Sequence, residues 1–132
     1  NGAATAADLD LADQLLAAVG DVVRLDREDQ MDAVTGLSGS GPAYVFHLIE
    51  ALTDAGEAEG LSHDLALQLA RTTVSGAGAL AMTGADPGQL RVNVTSPGGT
   101  TQAGLDILMP ELPDLIRRTV KAATDRSREL RG

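Results

Sequence analysis

Between Ser62 and Thr83 the chain carries Ala66, Leu69, Ala70, Thr73, Val74, Ala77, Leu80 and Ala81, a helical spacing that leaves little polar face. Ser62 is a natural N-cap, and Asp64 sits in the first turn, where negative charge is favoured. A helix that is apolar nearly all round is buried on several sides. A chain of 132 residues cannot easily cover such a helix by itself. The segment therefore predicts tightly packed helices, with a partner subunit supplying one side.

Composition points the same way. Tyr44 and Phe46 are the only aromatic residues, so alanine, glycine and leucine do the packing, and small residues let helices approach closely. Cysteine is absent, which excludes disulfides and thiolate chemistry and fits a reducing, cytoplasmic setting. A formal net charge of −9 disfavours nucleic acid and anionic membrane surfaces as partners. No apolar run is long enough to cross a bilayer, and no signal peptide is visible. The chain starts at Asn1 without methionine, which reads as a processed or excised piece.

Residues 1–26 read differently from the rest. Gly2 to Ala7 is expected to be extended. Asp8 is expected to cap a helix with apolar positions Leu9, Leu11, Leu15, Leu16 and Val19, closed by Gly20. Asp21 to Asp26 then reads as a short strand, giving a strand–helix–strand unit that would pair with a larger sheet. Residues 27–132 read as helical. Asp26 is expected to cap a short helix through Val34. A Ser/Gly turn follows from Gly36 to Pro42, with Pro42 in the first turn of the next helix. That helix carries Val45, Leu48, Ile49 and Leu52 and is expected to end near Gly56 or Gly60. Asp86-Pro87 starts a short helix toward Val94. The final helix is expected from about Pro113 to Leu130, with Leu115, Ile116, Val120 and Ala123 as its apolar stripe.

Asn93-Val94-Thr95-Ser96-Pro97-Gly98-Gly99-Thr100-Thr101 carries the clearest chemical signal. Pro97 and two glycines break the helix, and Thr100 or its neighbour starts a new one. Glycines allow close approach to the backbone, and free N–H groups at a helix start favour a carboxylate or phosphate. The loop reads as a receptor for a small anion; the other reading is an ordinary helix–loop–helix joint with a glycine cap. Other motifs fall short. Gly36, Gly39 and Gly41 have the wrong order for a dinucleotide fingerprint, and no Gly-x-Ser-x-Gly elbow surrounds Ser38 or Ser40. His47 with Glu50, and the distant His63, do not make a metal set. Asn93-Val94-Thr95 is a chance match to a glycosylation sequon.

The runs Asp32-Ala33-Val34-Thr35-Gly36-Leu37-Ser38-Gly39-Ser40-Gly41-Pro42-Ala43-Tyr44 and Ala51-Leu52-Thr53-Asp54-Ala55-Gly56, then Val94 to Thr101, Ala103-Gly104-Leu105 and Arg126-Ser127-Arg128-Glu129-Leu130, resemble the C-terminal domain of pyrroline-5-carboxylate reductase. The likeness covers nearly the whole chain. It implies a mainly α fold: a helical dimerisation domain like the C-terminal domain of 6-phosphogluconate dehydrogenase (27–132), preceded by the strand–helix–strand end of a Rossmann domain (1–26). It implies NADPH or NADH as cofactor, bound mainly by an N-terminal domain, with Asn93 the one candidate contact in this chain. It implies hydride transfer to 1-pyrroline-5-carboxylate, giving L-proline, in a homodimer or a larger assembly of dimers. By the same resemblance, Ser96, Gly98, Gly99, Thr100 and Thr101 hold the substrate carboxylate, and Thr101 lies beside the ring nitrogen as the catalytic candidate. No metal is implied.

Two departures stand beside this likeness. Most of the Rossmann domain is missing. Met109-Pro110-Glu111-Leu112-Pro113-Asp114 replaces a Gly-Gly turn usual in the family. A non-catalytic helical dimerisation or small-anion-binding module is the competing reading, and a related oxidoreductase acting on another small acid is a third.

Overall fold

A computed structural model describes residues 3–131. Helix α1 (Ala6–Leu16) opens on a reciprocal cap: the Thr5 hydroxyl accepts the Asp8 N–H at 3.3 Å, and the Thr5 N–H donates to the Asp8 carboxylate at 2.8 Å. Thr5 is thus the cap and Asp8 its answering third residue, correcting the expectation that Asp8 begins the helix. The helix closes at Ala17 rather than at Gly20.

The expected strand at Asp21–Asp26 does not form, and among the described residues there is no strand at all. Ladder hydrogen bonds need a neighbouring strand, and the described residues offer none. The segment is tied back to α1 instead. Arg24 donates to Asp13 at 2.8 Å and to Asp10 at 2.7 Å, and these carboxylates raise its pKa above the usual arginine range. Of the extended stretch expected at Gly2–Ala7, Gly2 lies outside the described residues and Ala6 and Ala7 are already helical.

A 3₁₀ turn (Glu28–Gln30) runs into α2 (Met31–Val34) and then a π turn (Thr35–Gly39). Its cap is Arg27, whose N–H donates to the Gln30 side chain at 3.1 Å, rather than Asp26. The Ser/Gly segment is therefore wound, closing with the Ser40 N–H on the Thr35 carbonyl at 2.8 Å. Helix α3 (Gly41–Ala58) has Pro42 in its first turn, as the sequence predicts. It ends in two reversed bonds, Leu61 N–H to Gly56 carbonyl at 3.0 Å and Gly60 N–H to Glu57 carbonyl at 2.9 Å. Gly60 has φ +91°, the left-handed conformation this ending requires.

Ser62 caps α4 (His63–Ala81). Helices α3 and α4 form a hairpin, and a Cβ on Gly56 would lie 3.0 Å from the Ala66 Cβ. Asp86 caps α5 (Pro87–Asn93), accepting the Gln89 N–H at 2.8 Å.

Helix α6 runs unbroken from Thr100 to Arg131, 32 residues or about 48 Å. The expected start near Pro113 is thus overturned: Pro110 and Pro113 both lie inside the helix. Each removes one bond, to the carbonyls of Asp106 and Met109. The prolines are one turn apart on an exposed face, so water can solvate both carbonyls.

The C-terminal part of α6 packs on α2 and the π turn. Little else is covered. Ala66 and Ala70 are the only buried hydrophobic residues described. Leu9, Leu11, Leu15 and Leu16 on α1, Leu65, Leu69 and Leu80 on α4, and Leu115 and Ile116 on α6 are all exposed. These helical stripes match the sequence pattern, and a second surface has to cover them. No helix among the described residues is long and apolar enough to cross a membrane.

Candidate functional site

The connection between α5 and α6 is a small rigid turn. The Gly99 N–H donates to the Ser96 carbonyl at 3.0 Å, with Pro97 and Gly98 between them. Gly98 has φ +71°, so this is a type II turn with proline and glycine each at its favoured position. A side chain on Gly99 would collide with the Ser96 hydroxyl and lie 3.1 Å from the Ser96 carbonyl oxygen. Gly98 is therefore demanded by its backbone angle, and a larger residue at Gly99 needs the Ser96 side chain to turn away and its carbonyl to give slightly.

The turn delivers the start of α6. Gly99 holds the cap position, where its carbonyl accepts the Ala103 N–H at 3.2 Å. Having no side chain, it caps nothing, so the N–H groups of Thr100, Thr101 and Gln102 have no intrahelical acceptor. They point out of a 32-residue helix at its positive end. The hydroxyls of Ser96, Thr100 and Thr101 make no hydrogen bond within the described residues. Thr95, just before the turn, behaves otherwise: its hydroxyl donates to the Arg91 carbonyl at 2.6 Å. Three backbone donors and three uncommitted hydroxyls thus gather at an open surface suited to an anion.

Asn93 is exposed at the end of α5, where its side-chain oxygen accepts from Gln89 at 2.8 Å. It also lines, with Ala77, Leu80, Leu90, Arg91 and Val94, a cleft of about 450 Å³ between α4 and α5. That cleft was invisible in the sequence, because its walls come from two helices whose relative placement no local pattern reports. His47 pairs with Glu50 at 2.9 Å and His63 with Glu57 at 3.1 Å. Glu57 raises the His63 pKa above its usual 6.5, chiefly through this hydrogen bond.

The two glycine turns singled out in the sequence are not brought together. The π turn meets α6 at Val120 and Thr124, where a Cβ on Gly36 would lie 3.0 Å from both backbones. The Ser96 turn is at Thr100. Twenty to 24 residues of helix separate these points, about 30–36 Å. One protomer cannot use both turns in one site.

This turn on a long helix, with apolar faces left bare, is the design of a domain finished by association. A family model for pyrroline-5-carboxylate reductase dimerisation matches residues 28–130, and the chain belongs to that family. It is 50% identical over 131 residues to the pyrroline-5-carboxylate reductase of Pisum sativum, covering 98% of this chain and 48% of that protein. With the Pseudomonas aeruginosa enzyme it shares 46% over 132 residues, again 98% and 48%. The solved structure of a pyrroline-5-carboxylate reductase from Coxiella burnetii superposes with TM-score 0.92 at 39% identity, covering 98% of this chain and 49% of that one. The chain thus spans about half the length of the curated relatives it matches.

Proposed function

We propose that this chain is the dimerisation and substrate-binding half of an NAD(P)H-dependent reductase that converts 1-pyrroline-5-carboxylate to L-proline. The observation that carries this reading is the type II turn at Ser96–Gly99 with its open helix start. The substrate carboxylate would lie on the N–H groups of residues 100–102 and the hydroxyls of Ser96 and Thr100, with Gly98 and Gly99 allowing contact with bare backbone. The Thr101 hydroxyl would face the ring nitrogen, orient the ring and stabilise its proton. Fixed donors hold the imine carbon in one place and so lower the entropic part of the barrier.

A nicotinamide cofactor supplies the hydride in such a reaction. The residues of this chain do not fit its pyrophosphate: of the two glycine turns that lead into helices, one is wound as a π turn with Gly36 filled by Thr124 of α6, and the other is the turn assigned above to the substrate carboxylate. We therefore assign cofactor binding to a preceding domain, with residues 1–26 as its end and Asn93 at most a bordering contact. The bare faces of α4 and α6 support a homodimer, and the distance between the two glycine turns supports a site completed by the second copy. A cysteine-free chain supports a cytoplasmic setting.

Titrating the ¹⁵N-labelled chain with L-proline tests the site. The amides of Gly98, Gly99, Thr100 and Thr101 are expected to shift, and acetate is expected to bind far more weakly. Equal binding of acetate would favour a non-catalytic anion module. Hydride transfer is expected only when the chain is expressed with a nucleotide-binding domain before Asn1; turnover by the chain alone would refute this division of labour.

A further inference from the structure

We infer that Arg91 is a positioning residue for the substrate turn, clasping α5 to α6 at the proline-interrupted stretch of the long helix; this rests on the function proposed above for that turn. The chain has ten lysine and arginine residues, and among the described residues all but Arg71 and Arg91 have a carboxylate within ion-pair distance. In a chain with 19 acidic residues, a cation left without one is notable. Arg91 sits in the last turn of α5, where positive charge suits the helix end. Its Nη1 instead donates to the Met109 Sδ on α6, at 3.1 Å.

That contact spans the turn. The bonds that shape residues 93–99 are all local: Gln89 to Asn93, Thr95 N–H to Val92, the Thr95 hydroxyl to the Arg91 carbonyl, and Gly99 N–H to Ser96. None of them ties α5 to α6. Among the described residues Arg91 alone hydrogen-bonds on both sides, its carbonyl holding Thr95 on the way in and its guanidinium reaching the helix on the way out. It reaches that helix at Met109, whose carbonyl has lost its donor to Pro113 and whose successor is Pro110. The grip thus falls where α6 is least braced by its own bonds. A thioether is a weak acceptor, so the clasp sets the angle between the helices without freezing it.

The test uses Arg91→Ala, Met109→Leu and the double variant of this chain. In the absence of any ligand, solvent exchange of the Gly99 amide is expected to rise about fivefold in each single variant, while the melting temperature stays within about 2 °C of the parent. The L-proline dissociation constant is expected to weaken about five- to tenfold in each, with the double variant no worse than Arg91→Ala. Arg91→Lys is expected to restore part of both. If Met109→Leu leaves exchange and affinity unchanged while Arg91→Ala weakens proline, Arg91 binds the anion directly and the clasp is wrong. Unchanged exchange in both variants also overturns it. If the parent chain binds no proline but both variants still loosen Gly99, the clasp stands and the proposed function falls.

Discussion

At its C-terminal end α6 meets the π turn so closely that Gly36 has no room for a methyl group; at its N-terminal end the Ser96 turn and its three hydroxyls stand in the open. The closed end is tied across 95 residues of sequence. Asp32, only 4% exposed, accepts the Ser127 hydroxyl at 2.9 Å, and its other oxygen faces Arg131 at 3.0 Å as an ion pair without an aligned hydrogen bond. Tyr44 donates to the Gly36 carbonyl at 3.0 Å. The open end relies on local bonds and on Arg91. One end is a finished piece of tertiary structure. The other is a preset shape awaiting what will cover it. The same helix serves both because a long rod separates the folding contact from the open turn.

The largest effect should come from placing the same substitution at both ends. Gly36→Val drives a branched side chain into Thr124 and the α6 backbone, and is expected to cost about 3 kcal/mol or to prevent folding. Gly98→Val meets open space but a φ of +71°, so it is expected to cost about 1–2 kcal/mol through strain while abolishing proline binding. Thermal melting and a proline titration on the pair would show whether the ends really divide stability from binding. Equal losses of stability would erase the distinction.

Asp32→Ala should come next. It strands the Ser127 hydroxyl and frees Arg131, for an expected loss of about 2 kcal/mol by denaturant titration, with the mostly exposed Arg131 contributing little. Amides at the open end should not shift, because about 40 Å of helix lies between.

Thr101→Ala probes the open end more gently. In the assembled reductase kcat/KM is expected to fall roughly ten- to a hundredfold with the melting temperature unchanged. A lower melting temperature with intact kinetics would make Thr101 a helix-start residue and nothing more.

The smallest effect concerns the α3–α4 joint. His63 has a folded pKa above 6.5, so the stability it adds is fully present below that value and is lost as pH rises through the folded pKa. His63→Ala is expected to flatten that slight decline in a pH series of melting curves, leaving the loop resonances in place.

Much of this molecule is legible from short stretches. Ser62, Pro42 and Asp86-Pro87 start helices where the sequence says they should, because a cap or a first-turn proline acts within four residues. The Ser96 turn is legible for the same reason: Pro-Gly-Gly leaves the backbone few choices. Thr5 and Asp8 mark where local reading becomes ambiguous. Both are cap-type residues, and only their reciprocal bonds settle which one is the cap.

What required the third dimension has a common cause. The strand expected at Asp21–Asp26 depends on a neighbour to bond with, and none is present among the described residues. The π turn at Thr35–Gly39 depends on Gly36 fitting against Thr124, far along the chain. The passage of α6 through Pro110 and Pro113 depends on the exposure of that whole stretch, which lets water reach the carbonyls the prolines leave free. The sequence by itself determined most of the helices, the caps at Ser62 and Asp86, the shape of the Pro-Gly-Gly turn and the stripes that need covering, since these follow from bonds and periodicities a few residues long. Tertiary structure decided which glycine packs, which proline is tolerated, where Arg91 reaches, and that the two glycine turns lie at opposite ends of one helix, since these depend on contacts between residues the chain keeps far apart.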